Sequence, residues 1–256
     1  MDYSKNTTIK IKGGLGNQLF QYSFAIFLEQ NFNKKVTLDL SWFDQQNLRR
    51  FQLPEFFREP ILKTMKGKKR SFLQKVVSYK SENIISFLLK KKINIPINYF
   101  DGYWQDIFYA KYLVFDKYFK KELFLKRNEK NYYVVHLRRG DFLTSGSAVQ
   151  NPLTDDHYLK YINLFNDKPI YILSAEKDEA ITLSKKINSK SEYIDCNEIE
   201  AFNIIYNASG GIASNSTFCW WPIFLSKSKN WFFPYKYRKK KNIFQLNLAI
   251  DNTILI

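Results

Sequence analysis

The segment GGLGNQLFQ at residues 13–21 constrains the fold more than any other part of the chain. Before it, the alternating stretch TTIKIK (7–12) predicts a strand. After it, NQLFQYSFAIFLEQNF (17–32) has apolar residues at 19, 20, 24, 27 and 28, the spacing of a helix. KKVTLDL (34–40) predicts the next strand. Strand, glycine-rich turn, helix and strand make a βαβ unit, which needs a parallel sheet to hold it. Glycines at such a turn let backbone N–H groups approach an anion at the helix N-terminus, although the same glycines could serve chain reversal alone. The dinucleotide fingerprint is only partly met. Gly14 and Gly16 fit it, Leu19 stands at its third glycine, and Asp39 ends the next strand where a ribose-binding acid would sit. No Lys-Ser/Thr follows, so the loop is not a P-loop.

The α/β pattern resumes in the second half. Strands are predicted over 132–137, 169–174, 192–195, 210–214 and 230–234, the last of them. Helices are predicted around 154–165, over 176–187 and 198–209, and from 215 onward. Between the halves, 66–93 predicts one or two amphipathic helices with basic clusters at both ends. The aromatic-rich 99–119 is irregular at first and helical later, and the tail from 238 shows only a basic run. The expected architecture is two Rossmann-like domains facing a cleft, 1–128 with the basic helical insert and 129–256.

Hydrophobic residues make up 45% of the 256 and aromatics 18%, which excludes a disordered chain. The formal charge of +16 attracts polyanions, whether nucleic acid, an anionic membrane face or phosphorylated small molecules, and the motifs must choose among them. Cys196, Cys219, His136 and His157 cannot form a zinc-spaced quartet, and the two cysteines are expected as reduced core thiols of a cytosolic protein. The opening MDYSKNTTIKIKGG lacks a signal-peptide block, and no apolar run approaches the ~20 residues of a membrane helix. A cytoplasmic location follows as an expectation, with any membrane contact made from that side. No DxD, HExxH or GxSxG occurs.

Four further segments offer chemistry. HLRRGD (136–141) leaves a predicted strand with two adjacent arginines, and guanidinium groups hold phosphate oxygens in bidentate geometry. A surface ion-pair cluster would look the same. In SNSTFCWWPIFL (214–225), Ser216 and Thr217 are ordinary helix caps and are also what a phosphate would meet at a helix start. Ser174 and Glu176, in YILSAEKDEA, sit at a strand's carboxyl end, where a carboxylate can accept two donors from a guanine edge or simply favour the helix dipole. FDGYWQD (100–106) mixes aromatics with Asp101 and Gln105, a composition shared by sugar platforms and core covers.

Together and in this order, GGLGNQLFQYSFA, FDGYWQDIFY, HLRRGDF and SNSTFCWWPIFL closely resemble family 11 glycosyltransferases, the α-1,2-fucosyltransferases, over nearly the whole chain. The resemblance implies a GT-B fold, GDP-L-fucose as donor, inversion at the fucose anomeric carbon, and neither metal nor cofactor. It implies that Arg138 and Arg139 include a ligand of the donor diphosphate, with Asp141 as the motif's acid and His136 as its first residue. Gly14, Gly16 and Asn17 are implied near the β-phosphate and fucose, and Asn215, Ser216, Thr217 and Phe218 in a phosphate-contacting loop. Ser174 and Glu176 match a Ser-Asp-Asp element, from which the chain departs with Ala175 and Glu176. The implied partners are GDP-fucose and an oligosaccharide or lipid-linked glycan of a surface polysaccharide such as O-antigen, with the basic 66–93 stretch either on anionic lipid or packed on its own domain. Nucleic acid is not among them. Another sugar nucleotide, or a basic nucleic-acid-binding module, stands as the alternative.

Overall fold

The computed structural model describes residues 6–46, 48–58, 62–65, 76–78, 81–124, 132–143, 151–165, 167–187, 190–226, 228, 230–251 and 253–256. It divides into two compact units, Met1–Lys120 and Lys121–Ile256.

The first unit runs β1 (Asn6–Lys10), α1 (Leu15–Phe32), β2 (Lys35–Asp39), α2 (Leu53–Phe56), β3 (Thr64–Met65), β4 (Val76–Ser78), α3 (Glu82–Lys90), β5 (Tyr99–Asp101), α4 (Ile107–Ala110) and α5 (Phe115–Tyr118). Its five strands lie in the order β3-β2-β1-β5-β4, and every pairing is parallel. Helix α1 buries Leu19, Phe20, Phe24 and Phe27, so it serves as the core of the unit and not as a surface helix. Phe24 stacks on Trp104 with ring centroids 3.9 Å apart.

Two expectations need correction here. Within 66–93, Val76–Ser78 is a strand paired with β5, and helix begins only at Glu82. Residues 66–75 and 79–80 of that stretch lie outside the described ones. The irregular start of 99–119 contains β5, which pairs with β1 on one side and β4 on the other. In both segments sheet pairing holds a short strand where the local pattern gives no sign of one.

The second unit runs β6 (Tyr133–His136), α6 (Gly140–Leu143), α7 (Asp155–Ile162), β7 (Ile170–Leu173), α8 (Lys177–Ile187), β8 (Ser191–Tyr193), α9 (Glu198–Asn207), β9 (Gly210–Ile212), α10 (Thr217–Ser226), β10 (Asn230–Phe233) and β11 (Ile254–Leu255). The order is β11-β10-β9-β6-β7-β8, again wholly parallel. Val135, Leu137, Tyr158, Ile172, Leu183 and Ile212 form its core. Gly211 lets β9 approach β6, because a Cβ there would overlap the Val134 carbonyl. The expectation that 230–234 is the last strand is also corrected. Ile254–Leu255 adds β11 beside β10, and the Ile256 N–H donates to the Phe233 carbonyl at 2.8 Å. Trp220 Nε1 ties the same tail down by donating to the Leu248 carbonyl at 2.7 Å. Cys219 is buried as expected, whereas Cys196 is only half-buried on the loop before α9, so the pair are not both core thiols.

Each sheet reverses its order beside its own first strand. From β1 the chain steps outward to β2 and β3, crosses to β4 at the opposite edge, and β5 then returns inward to lie on the other side of β1. From β6 it steps to β7 and β8, and β9 returns on the other side of β6. In open parallel sheets, the loops leaving the carboxyl ends at such a reversal separate and leave a crevice for ligands.

Candidate active site

At the reversal in the second unit, three loops leave adjacent strand ends: 137–140 after β6, 174–176 after β7 and 213–217 after β9. These loops carry most of the residues expected at the donor. His136 is 6% exposed, and its Nδ1 lies 2.7 Å from Ser214 Oγ, joining the β6 and β9 ends. Burial, assisted by the Arg138 charge, pushes its pKa down to about 3, so the imidazole is neutral. Phe218 stacks over it with centroids 5.8 Å apart.

The two arginines differ. Arg139 Nε donates to the Leu153 carbonyl at 2.8 Å, Nη2 to Asp155 at 2.7 Å and Nη1 to Glu179 at 3.2 Å. Its side chain is 14% exposed, and a charge so enclosed requires paired acceptors. Arg138, half-buried one residue earlier, interacts electrostatically with His136 at the reversal itself. Glu176 turns back on its own loop. It accepts from Ser174 Oγ at 2.8 Å and from the Arg139 N–H at 3.4 Å, and it lies where a Cβ on Gly140 would be. Ser174 Oγ in turn accepts the Glu176 N–H at 3.0 Å. Asn215 is 1% exposed and donates through Nδ2 to the carbonyls of Asn151 and Tyr237 at 2.8 and 2.9 Å.

So His136, Arg139, Ser174, Glu176 and Asn215, all expected at the donor, have internal partners that account for their placement. Arg138, Ser216, Thr217 and Phe218 border the reversal, half-buried. Ser216 Oγ accepts the Phe218 N–H at 3.2 Å as α10 begins, and no acid occupies that helix's first turn. Asp141 falls in α6, and its side chain lies outside the described ones.

In the first unit, Gly13 has φ +80, a left-handed conformation that glycine adopts freely. Gly14 is the N-cap of α1, Gly16 is buried in its first turn, and no acid occupies that turn. Gln18 staples the loop by donating through Nε2 to the carbonyls of Gly13 and Arg50, both at 2.9 Å, and by accepting the Gln52 N–H. The staple brings Arg49 beside the loop, its guanidinium 3.9 Å from where a Gly14 Cβ would stand. No motif marks Arg49 in the sequence; its one signal is the Arg-Arg doublet at 49–50. Asn17 Oδ1 accepts from Gln105 Nε2 at 2.7 Å across the β1/β5 reversal. Asp39 is buried, accepting from Tyr99 OH at 2.5 Å and the Ser41 N–H at 2.9 Å, so it is a core acid and not a ribose contact.

The family model described as Glycosyl transferase family 11 matches residues 1–233. The chain belongs to glycosyltransferase family 11. This glycosyltransferase is 26% identical over 272 aligned residues to the O-antigen biosynthesis glycosyltransferase WbnK of Escherichia coli, covering 84% of this chain and 89% of that protein. It is 25% identical to an alpha-1,2-colitosyltransferase of Escherichia coli, covering 84% and 86%. Among solved structures it resembles the fucosyltransferase NodZ from Bradyrhizobium, with TM-score 0.56 and 13% identity over 86% of this chain and 92% of that one. A NodZ alpha-1,6-fucosyltransferase structure soaked with GDP-fucose gives TM-score 0.55 and 10% identity over 85% and 92%. At such identities the likeness carries the fold, and the fold is GT-B-like. Among the described residues, no helix is long and apolar enough to cross a membrane.

Proposed function

We propose that this glycosyltransferase moves L-fucose from GDP-fucose to the 2-OH of a galactoside-type acceptor, inverting the anomeric carbon without a metal ion, in the assembly of O-antigen or another surface polysaccharide. The acceptor hydroxyl oxygen bonds to the anomeric carbon from the face opposite the diphosphate. The bond from that carbon to the β-phosphate oxygen breaks, the hydroxyl proton passes to a base, and GDP leaves with the electron pair. Negative charge grows on the β-phosphate, and fixed donors must meet it. One such donor is often worth ~3 kcal/mol of barrier.

The observation that carries this reading is what meets at the second sheet's reversal: Arg138 follows the carboxyl end of β6, and Ser216, Thr217 and Phe218 follow that of the adjacent β9 as α10 begins. Arg138 is assigned to the diphosphate, as are Ser216, Thr217 and Phe218 at the N-terminus of α10. Gly14, Gly16, Asn17 and the neighbouring Arg49 are assigned to the β-phosphate and sugar. The colitosyl relative's alpha-1,2 linkage and the other relative's role in O-antigen biosynthesis support the same linkage and setting here. The test is calorimetry with GDP, UDP and ADP, followed by linkage analysis of products made from GDP-fucose and a panel of β-galactosides. Binding of UDP without GDP would overturn the donor assignment.

A donor with a different sugar is the second reading. It is favoured by the colitosyl relative and by Glu176, which is closed onto Ser174 in place of the family's acidic pair. Transfer from GDP-fucose at the rate of bare hydrolysis, with GDP still bound tightly, would select it.

The enzyme is further proposed to work peripherally on the cytoplasmic membrane face, where a lipid-linked acceptor would lie. Helix α3 buries Ile85 and Leu89 on one side and leaves Ile84 and Phe87 67% and 59% exposed on another, followed by exposed Lys91 and Lys92. Apolar residues beside cations suit an anionic bilayer surface. Co-sedimentation with phosphatidylglycerol vesicles is expected at low salt and is lost in Ile84→Ser/Phe87→Ser; equal sedimentation of this variant refutes the contact.

A further inference from the structure

The segment Asp101–Gln105 follows β5 and crosses the end of β1, and each of its residues is pinned. Asp101 accepts from Lys12 Nζ at 2.5 Å. The Gly102 carbonyl accepts from Gln21 Nε2 at 3.1 Å. The backbone N–H groups of Tyr103 and Trp104 both donate to the Glu82 carboxylate, at 3.0 and 2.5 Å. Trp104 is held at φ +53, a conformation an aromatic residue rarely adopts, and its ring is locked flat on Phe24. Backbone strain of this kind persists only where surrounding contacts impose it. What this arrangement delivers is the Gln105 amide, 2.7 Å from Asn17 Oδ1.

From this geometry we infer that Gln105 is a positioning residue for the transfer reaction, acting through Asn17. Its Nε2–H engages the oxygen of the Asn17 carboxamide. The Asn17 Nδ2 is thereby turned to the opposite side, where it lies over Gly13 so closely that a Cβ at Gly13 would sit 2.6 Å from it. Gly13 leaves room for that orientation and Gln105 enforces it. An anionic phosphate or a sugar hydroxyl oxygen then meets N–H donors and not a carbonyl oxygen. The pairing spans 88 residues of sequence at the β1/β5 reversal, where the topology opens a crevice.

The inference rests on the proposed role of Asn17, and a double-mutant cycle tests the two separately. The variants are Asn17→Ala, Gln105→Ala, the two together, and Gln105→Glu, which keeps size but cannot donate to Asn17 Oδ1. Measurements are kcat and KM for transfer from GDP-fucose, GDP affinity by calorimetry, and the melting temperature. Expected are a tenfold or larger fall in kcat for Gln105→Ala and Gln105→Glu with acceptor KM held, little change in melting temperature, and no further loss from Gln105→Ala once Asn17 is alanine. A crippled Asn17→Ala beside a fully active Gln105→Glu overturns the positioning role, as does an equal Gln105→Ala loss in both backgrounds. A fully active Asn17→Ala overturns the assignment of Asn17 and the inference with it.

Discussion

His136 offers a quantitative test of how the second unit is built. Its imidazole is buried against Ser214 and stays neutral down to a pKa of about 3, whereas in the unfolded chain it titrates at the ordinary value of 6.5. Between those values the unfolded state binds a proton that the folded state refuses. Stability therefore falls as pH falls through this window. The slope is about 1.4 kcal/mol per pH unit, which gives roughly 2 kcal/mol lost at pH 5 relative to pH 7.5 and a ceiling of roughly 4–5 kcal/mol near pH 3. The perturbation is His136→Gln in a His157→Gln background, so that the reference protein has a single imidazole. Hydrogen exchange of the β6 amides, corrected for intrinsic rate at each pH, reports the opening free energy of the strand that carries the residue. The difference between reference and variant is expected to shrink by about 2 kcal/mol from pH 7.5 to pH 5. A constant difference, or an imidazole NMR signal that titrates near 6.5 in the folded protein, would refute the buried neutral assignment.

Arg138→Ala is expected to lower kcat by two to three orders of magnitude with the melting temperature unchanged. Arg139→Ala should act first on stability, costing about 2–3 kcal/mol, less than a fully buried pair because Glu179 is 41% exposed; urea unfolding and turnover measured side by side distinguish the two. Gly211→Ala should prevent folding of the second unit, because the added methyl meets the Val134 carbonyl; a native circular dichroism spectrum would contradict this. Trp220→Phe removes the bond to the Leu248 carbonyl, and a loss of about 1 kcal/mol is expected in urea titration, with earlier proteolysis of the tail.

The long elements were legible because their patterns are local. Helix α1 and strands β1, β2, β6 and β7 announce themselves by spacing, and the glycine-rich loop between strand and helix revealed the parallel sheet. Strands β3, β4, β5 and β11 did not, since they are held by sheet partners where the local pattern gives no sign of a strand. The same limit applies to the site. The motif HLRRGD marks a pair of arginines, yet the groups that enclose Arg139, namely Asp155, Glu179 and the Leu153 carbonyl, belong to no motif. Asp39 stands where the sequence pattern puts a ribose-binding acid, and only its partner Tyr99, 60 residues away, marks it as a core acid. Arg49 and Gln105 reach the glycine-rich loop only through tertiary folding.

The double reversal of strand order bears on how the enzyme comes into being. The first βαβ segment can collapse as it leaves the ribosome, but Asn17 waits 88 residues for Gln105, and His136 waits 78 for Ser214. Pairings of such long range are slow to close. A nascent chain halted before β5 or before β9 would hold helices and a partial sheet yet have nowhere to receive a nucleotide. Ligand added during synthesis can therefore rescue only chains in which translation has passed those strands.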